Sequence, residues 1–388
     1  MRINFQSNAP WNRSGYGKET ALFVPRIASL GHEITISAPY SFAGNILEWE
    51  GFPVIPCGRD NAGNDTIIPN HEYFHADLTI VLADPFSLQK SGDKLAQIPL
   101  ALWFPVDCVP LGRGDVTVLR ESRAIPIAMS RFGERMLLDE GADPLYVPHA
   151  VDTGLYAPGD HYAYRDTVPA IGDDTFVIGL CAMNRDLNRK GFAEQFLAFS
   201  KFHERHPDTV LSVVSTPRGN PGLSLDAMAT RLGITEAVVY PDGSSYDLGL
   251  ITEPQMVNWF NGLDILTACS YGEGFGLPLL EAQSCGVPVV TTDGSSMSEL
   301  CGAGLLVSGT PFWSDGHAAW WKRPDIDDIV QAYESAFEAW KGGTLPKKQA
   351  REFALQYDAD LVLEQYWAPV LAELEERLEQ PLDVIPAA

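Results

Sequence analysis

Residues 264–292 constrain the fold more than any other part of this sequence. In order, they hold a short apolar run, a glycine-rich loop, a helix that ends at Cys285–Gly286 and a second apolar run. A strand, a glycine loop, a helix and a strand in this order form the repeating unit of doubly wound α/β proteins. Gly274 and Gly276 let the backbone approach a ligand, and the free amides at the start of the helix favour phosphate or sugar oxygens.

The same alternation recurs along the chain. Strands are predicted at 2–8, 33–37, 54–56, 76–84, 99–104 and 125–130, and a second series at 175–181, 210–214, 237–240, 264–269, 287–292 and 303–307. Strands alternating with helices indicate an α/β fold with parallel sheets that carry helices on both faces. Ligand atoms then belong at the carboxyl ends of strands, which in the first series are Ser14–Gly17 and residues 105–107.

The length of 388 residues favours two domains over a single core. We predict an N-terminal domain at 1–155, a linker at 156–174, a C-terminal domain at 175–357 and C-terminal helices with a tail at 358–388. The last helices present one apolar face, with Pro369 as an expected kink. The residues of that face are Leu363, Trp367, Leu371, Leu374 and Leu378.

Composition limits the cellular compartment and the binding partners that we expect. The formal net charge of −24 disfavours broad contact with nucleic acid or an anionic membrane. The six cysteines form no C-x-x-C pair, which indicates reduced thiols. No run of about 20 apolar residues is present to span a bilayer. We therefore expect a cytoplasmic protein without a transmembrane segment.

Charged residues mark two loops as candidate sites. Glu273 lies in the glycine loop, and Glu281 follows in the helix among apolar residues, where a carboxylate is costly to bury unless a donor meets it. In the loop 182–191, Arg185 and Lys190 precede a helix whose dipole opposes cations. A bound pyrophosphate would explain these cations better than a solvated surface does.

The string from Gly272 to Gly286, with Gly-Val-Pro-Val-Val at 286–290, resembles the signature of retaining glycosyltransferase family 4, the glycosyl transferases group 1. That family places two glutamates eight positions apart, as Glu273 and Glu281 are here. It also carries an arginine and a lysine five positions apart, with the lysine before a glycine, as Arg185 and Lys190 are. The resemblance is strong over residues 176–306. Related glycosyltransferases also occur in bacteriophage genomes, and the resemblance includes these members.

The resemblance implies the GT-B fold, two facing Rossmann-like domains with a C-terminal helix that crosses back to the first domain. It implies that Arg185 and Lys190 hold the donor pyrophosphate and that Glu281 binds the ribose. The remaining donor-binding residues that it implies are Gly274, Phe275, Gly276 and Leu277, and the ligand edge of the first series of strands adds Gly15 and Gly17. It implies catalytic roles for Arg185, Lys190 and Glu273. Where many members carry a catalytic histidine after a first-domain strand, this chain has Asp107, which we predict as its replacement, with His149 less favoured.

No metal or cofactor is expected. Asp325-Ile-Asp327 and Asp358-Ala-Asp360 have the letters of a metal-binding Asp-x-Asp, but each opens a helix, where acids act as caps. The implied activity is a retaining, metal-independent transfer of a hexose from a UDP- or GDP-sugar to an acceptor glycan, protein or small molecule. A phosphorylase or epimerase of the same fold and a non-catalytic nucleotide-sugar binding protein remain alternatives.

The segment 312–321 is rich in aromatic residues and shows no clear period. Clusters of this kind belong to the core more often than to the surface, so we predict a core role. The alternative is that Trp313, Trp320 and Trp321 face an acceptor.

Overall fold

A computed structural model describes residues 1–40, 42–219, 221–240 and 249–379 of the chain. These residues form two compact units. Of the described residues, the first unit contains Met1–Val106, Pro110–Ala150 and 359–379, and the second contains Asp107–Val109 and Val151–Asp358. The residues after Ala359 are thus part of the first unit, and three residues from the 105–110 region are part of the second.

The first unit is built on an eight-stranded sheet in the order β3-β4-β2-β1-β5-β6-β7-β8. Its strands are β1 Arg2–Gln6, β2 Glu33–Ser37, β3 Leu47–Trp49, β4 Phe52–Ile55, β5 Leu78–Leu82, β6 Leu100–Phe104, β7 Ile125–Ala128 and β8 Leu145–Tyr146. Neighbours are parallel except β3 and β4. The fully buried strands β5 and β6 lie near the centre, as expected where helices cover both faces.

The helices of the first unit include the C-terminal segment. Their bounds are Gly15–Ser29, Ile67–Tyr73, Arg113–Ser122, Arg131–Asp139, Ala359–Val362 and Ala368–Glu379, with a π-helical turn at Leu363–Trp367. Trp367 is fully buried, with its ring centroid 5.9 Å from that of Phe23 and 4.9 Å from that of Trp103. The π-helical turn ends two residues before Pro369, where a kink was predicted because proline cannot donate the regular helical hydrogen bond.

The second unit contains a six-stranded parallel sheet in the order β11-β10-β9-β12-β13-β14. Its strands are β9 Phe176–Cys181, β10 Thr209–Val214, β11 Val238–Val239, β12 Ile265–Ala268, β13 Val289–Thr292 and β14 Gly304–Val307. Strand order reverses between β9 and β12. The loops that follow these two strands therefore lie side by side at the edge where doubly wound sheets bind ligands.

Helices and 3₁₀ turns complete the second unit. The helices are Tyr162–Arg165, Phe192–Arg205, Leu225–Leu232, Glu253–Asn261, Leu277–Ser284, Ile326–Lys341 and Lys347–Ala354. Phe192–Arg205 and Ile326–Lys341 bury Phe196, Phe199, Phe202, Tyr333 and Phe337 in one apolar cluster with strands β9 and β10. This cluster fixes the position of the helix that begins just after Gly191, and hence of the loop before it.

The aromatic segment 312–321 lies in an antiparallel hairpin, β15 Gly309–Ser314 and β16 Ala319–Pro324. Phe312 is paired with Trp321, and Trp313 with Trp320. Because neighbours along a strand face opposite sides, the two pairs lie on opposite faces. The predicted core role is confirmed for Trp321, which is 8% exposed, and is wrong for Trp313 and Trp320, which are 44% and 46% exposed.

The buried ion pair between Arg165 and Asp264 gives a test of the second unit. The guanidinium donates to the Asp264 carboxylate at 2.6 Å, and Val177 N donates to the same oxygen at 2.8 Å. Asp264→Ala leaves a buried guanidinium without its counter-charge, so we expect it to lower the free energy of unfolding by about 3–5 kcal/mol in urea titrations. The exposed pair Lys348–Glu352 is the control, and Glu352→Ala should change stability by no more than about 0.5 kcal/mol. A loss below about 1 kcal/mol for Asp264→Ala would contradict this assignment.

Candidate functional site

The glycine loop between β12 and the helix Leu277–Ser284 is shaped by hydroxyl groups from the next loop. Ser295 Oγ accepts from Glu273 N at 3.0 Å, and Ser296 Oγ lies 2.8 Å from Glu273 O and 2.6 Å from Phe275 O. Gly276 has a φ of +113°, which a residue with a Cβ rarely adopts. Among the described residues, the amides of Gly274, Gly276 and Leu277 donate to no protein acceptor. These amides lie at a helix N-terminus, as the sequence predicts.

The carboxylate of Glu273 lies between two cations of the loop that follows β9. Lys190 Nζ is 2.6 Å from Glu273 Oε1, and Arg189 NH1 is 3.3 Å from Oε2. Ser270 Oγ also donates to Oε1 at 2.6 Å. The Lys190 and Glu273 side chains are only 16% and 15% exposed. The loop lysine is therefore held in a mostly buried ion pair and is not a solvated surface residue.

Asp107 joins the same group of charges. Its Oδ2 is 3.7 Å from Arg189 NH1, and its Oδ1 accepts from Trp321 Nε1 at 3.2 Å. Gly272 lies against it, since a Cβ at Gly272 would be 2.2 Å from the Asp107 carbonyl oxygen. Of the four predicted catalytic residues, the structure brings Asp107, Lys190 and Glu273 together, with Arg189 as the link.

The family spacing selects Arg185, but the structure places Arg189 and not Arg185 beside Glu273. Arg185 is exposed and has no ion pair within the described parts of the chain. Arg189 was not selected from the sequence, yet it contacts Glu273, Asp107 and the carbonyl oxygen of Gly272, the last at 3.2 Å. The one sequence feature that points to Arg189 is its position directly before Lys190, close to a helix N-terminus whose dipole opposes a cation.

Backbone and amide contacts fix the two loops against each other. Gln195 Nε2 donates to Lys190 O at 2.9 Å, and its Oε1 accepts from Cys269 N at 3.0 Å. Tyr271 N donates to Arg189 O at 2.6 Å. Gly191 has a φ of +59°, and a Cβ there would lie 2.2 Å from Cys269 O. Glycine is therefore required where the two loops cross.

The buried charges shift one another's ionisation. Burial alone would raise the pKa of Glu273, but Lys190 and Arg189 outweigh it and hold this pKa at about 2. Burial and the neighbouring Arg189 lower the pKa of Lys190, while Glu273 opposes that effect. The carboxylate of Glu273 is thus ionised over the whole physiological pH range.

Glu281 occupies a separate position in the helix Leu277–Ser284. Its side chain is 5% exposed and lies close enough to Tyr156 to act on its ionisation. Burial raises the pKa of the Tyr156 phenol above its usual range, and the Glu281 and Glu253 carboxylates add to this effect. Tyr156 Oη donates to the Glu253 carboxylate. Glu281 is thus buried close to Tyr156.

The remaining predicted residues belong to the first unit. Gly15 starts the helix Gly15–Ser29, and the N-cap Ser14 accepts from Gly17 N at 3.2 Å. A Cβ at Gly17 would lie 2.1 Å from Asn12 O. His149 is buried, with Nδ1 3.1 Å from Glu19 Oε2 and its ring against Trp103.

The paired acids of the two Asp-x-Asp segments have structural partners. Asp325 caps the helix Ile326–Lys341 by accepting from Asp327 N and Asp328 N, which confirms the prediction. Asp358 accepts from Thr153 Oγ1, and Asp360 pairs with Arg26 at 2.8 Å. Within the described residues, no three His, Cys, Asp or Glu side chains are grouped so that they could hold a metal ion. The described helices include none that is both long and apolar enough to cross a bilayer.

Comparison with known proteins identifies relatives of the second unit. Residues 178–352 match the family model of glycosyl transferases group 1. The D-inositol 3-phosphate glycosyltransferase of Arthrobacter sp. (strain FB24) is 30% identical over 230 residues, which cover 58% of this chain and 49% of that protein. The match thus spans about half the length of this curated relative.

Solved structures match almost the whole chain. Sucrose-phosphate synthase from Thermosynechococcus elongatus has a TM-score of 0.77 at 14% identity and covers 97% of this chain and 99% of its own. Anabaena HepE in complex with UDP-glucose has a TM-score of 0.71 at 17% identity and covers 96% of this chain and 100% of its own. The predicted GT-B fold class is confirmed.

The pKa of Glu273 leads to a test of the ion cluster by pH. An unfolded glutamate titrates near 4.5, so the stabilisation is complete above that pH and is lost as the pH falls toward about 2. Between pH 6 and pH 3, we expect wild type to lose about 2 kcal/mol more unfolding free energy than Glu273→Gln, measured by urea titration. Glu204→Gln, an exposed carboxylate on a nearby helix, is the control. Parallel pH profiles for wild type and Glu273→Gln would rule out the cluster.

Proposed function

We propose that the chain is a retaining, metal-independent glycosyltransferase of the glycosyl transferases group 1, whose family model matches residues 178–352. It would move a hexose from a UDP- or GDP-sugar to an acceptor hydroxyl on a glycan, protein or small molecule. The observation that carries the proposal is the Lys190–Glu273 pair at 2.6 Å, directly beside a helix N-terminus with uncommitted amides.

The donor pyrophosphate is proposed to lie at the loop that follows β9. Lys190 supplies a fixed charge there, and Arg185 is exposed and able to reach a phosphate oxygen. The amides of Gly274, Phe275, Gly276 and Leu277 would hold the sugar, and Glu281 the ribose, as in the family that the sequence resembles. A UDP-glucose complex of HepE, which shares the fold, supports a nucleotide-sugar donor. Gly15 and Gly17, at the start of the helix Gly15–Ser29, remain predicted donor-binding residues.

Leaving-group stabilisation is assigned to these cations instead of a metal ion. In the transfer, the bond from the anomeric carbon to the β-phosphate oxygen breaks, and a bond to the acceptor oxygen forms on the same face. The acceptor proton passes to the departing phosphate oxygen. The negative charge that develops there is met by fixed cations and amide dipoles. Glu273 is already neutralised by Lys190 and Arg189, so a metal ion would have to displace a lysine to bind it.

Asp107 is proposed to act through Arg189. Its Oδ2 faces the guanidinium at 3.7 Å, while Trp321 fixes the other oxygen. This arrangement keeps Arg189 beside Glu273 and directs Lys190 toward the glycine loop. Asp107 is thus a positioning residue at the place where many family members carry a histidine.

A nucleotide-binding experiment tests the proposal directly. UDP or GDP should raise the melting temperature of the wild-type protein, and EDTA should leave that shift unchanged. Lys190→Ala removes a charge-assisted phosphate contact of roughly 1.5–3 kcal/mol, so nucleotide affinity should fall about 10- to 100-fold and turnover about 10²- to 10³-fold. Arg205→Ala, which removes an exposed cation of the second unit, is the control.

Four outcomes would count against this function. Loss of the shift in EDTA would contradict metal independence, and wild-type turnover in Lys190→Ala would contradict the pyrophosphate site. Nucleotide binding without donor hydrolysis or transfer to any acceptor would favour a non-catalytic binding protein. Release of a sugar phosphate in the presence of inorganic phosphate would favour a phosphorylase.

Asp107→Asn separates positioning from binding. Asparagine keeps the size of the side chain and can still accept from Trp321, but it removes the charge that faces Arg189. We expect kcat to fall at least tenfold, the scale of a hydrogen bond to a charged group, while UDP affinity stays within about twofold. Asp173→Asn, an exposed linker residue, should change neither value. Unchanged kcat in Asp107→Asn would remove this residue from the mechanism.

A further inference from the structure

The outer face of the hairpin Gly309–Pro324 carries two exposed indoles. Trp313 and Trp320 are opposite each other in the strand register, with ring centroids 5.0 Å apart and an interplanar angle of 67°. The Trp313 Nε1 group donates to Asp315 Oδ1 at 3.3 Å. Two adjacent indoles that are each nearly half exposed present a small aromatic surface to a ligand. We name this pair the indole platform.

The inner face of the hairpin holds the platform rigidly in place. Trp321 donates to Asp107, and the Phe312 ring packs edge-on against Tyr271 with centroids 5.1 Å apart. Lys322 N donates to Tyr271 O at 2.9 Å, and Trp320 exchanges two backbone hydrogen bonds with Val109. The backbone that carries the two indoles is therefore hydrogen-bonded to residues that border the glycine loop.

The platform is continuous with the ligand edge of the second sheet. Lys322 shares the outer face with Trp320 and pairs across the hairpin with Pro311. Its Nζ donates to Asp293 O at 2.5 Å, and its side chain packs on Gly294, where a Cβ would lie 3.3 Å from it. Asp293 directly follows β13, in the loop whose Ser295 and Ser296 shape the glycine loop. One lysine thus connects the platform to the candidate site.

Size and charge favour a small neutral ligand over a protein or a second copy. The two indoles expose roughly 200 Å² together, judged from the 150–250 Å² that an aromatic side chain can bury. A stable protein interface needs about 800 Å² from each partner. Two copies at −24 each repel one another, and the same charge opposes nucleic acid.

We propose that the indole platform binds the acceptor, and that this acceptor is a neutral oligosaccharide whose pyranose rings stack on Trp313 and Trp320. This inference rests on the proposed function, because it supplies the acceptor for that transfer. The carbon–hydrogen face of a pyranose ring is apolar and covers an indole face, while its rim hydroxyls reach water and polar groups such as Asp315. Stacking on an aromatic ring tolerates different sugars, as base stacking tolerates different bases.

Native affinity electrophoresis tests the platform. The protein migrates as an anion, so gels that contain dextran, mannan or soluble starch should retard it if it binds the polysaccharide. We expect at least one of the three to retard wild type, and the double variant Trp313→Ala/Trp320→Ala to need about tenfold or more polysaccharide for the same effect. Trp313→Phe/Trp320→Phe keeps two rings and should keep most of the binding. Tyr162→Ala, an aromatic residue of the same unit that is 49% exposed, is the control.

The UDP thermal shift, measured on every variant, separates this inference from the proposed function. An unchanged UDP shift in both double variants, with retardation lost only in the alanine variant, supports the platform. No retardation of wild type in any gel, or equal retardation of wild type and the alanine variant, overturns it, while a persisting UDP shift leaves the donor site intact. Failure of every nucleotide to stabilise wild type would count against the proposed function itself.

Discussion

The pairing of Glu273 with Lys190 and Arg189 is the interaction on which the arrangement of the second unit's ligand edge depends. All three side chains are largely removed from water, and a buried charge is tolerated only when a counter-charge and hydrogen bonds meet it. The loops after β9 and β12 must therefore close on each other. Gly191 makes this possible, because a Cβ there would lie 2.2 Å from Cys269 O, and Gly272 admits Asp107 in the same way, because a Cβ there would lie 2.2 Å from Asp107 O.

Local signals explain which parts of this arrangement the sequence predicts. Strands β9 and β13 were predicted because each is a short, apolar, β-branched run bounded by glycine or polar residues. Residues close in sequence are enough to favour a strand in such a run. The helix caps at Ser14 and Asp325 likewise depend only on residues two or three positions away. Lys190 was selected from its position before a helix N-terminus and, together with Glu273, from the family resemblance, and the structure shows the two side chains in contact.

Contacts between residues far apart in sequence explain what was missed. Arg189 gains its importance from Asp107 and Glu273, which are more than 80 positions away on either side. The hairpin was missed because tryptophan at both 320 and 321 hides the alternation, although Asp315-Gly316 is a turn signal between two short runs. Composition alone cannot separate Trp321, which covers the Asp107 carboxylate, from Trp320, which faces outward.

One set of contacts positions both the loop 182–191, which carries Arg189 and Lys190, and the exposed indoles of Trp313 and Trp320. Trp321 holds Asp107, and Asp107 faces Arg189. Glu194 lies in the helix Phe192–Arg205, directly after the loop 182–191. It accepts from both Tyr271 Oη and Arg323 Nε, each at 2.8 Å, and so forms a second link between the hairpin and the glycine loop. The distance between the platform and the Lys190–Glu273 pair is therefore set during folding. If donor and acceptor bind at these two places, little orientational entropy remains to be lost when they meet.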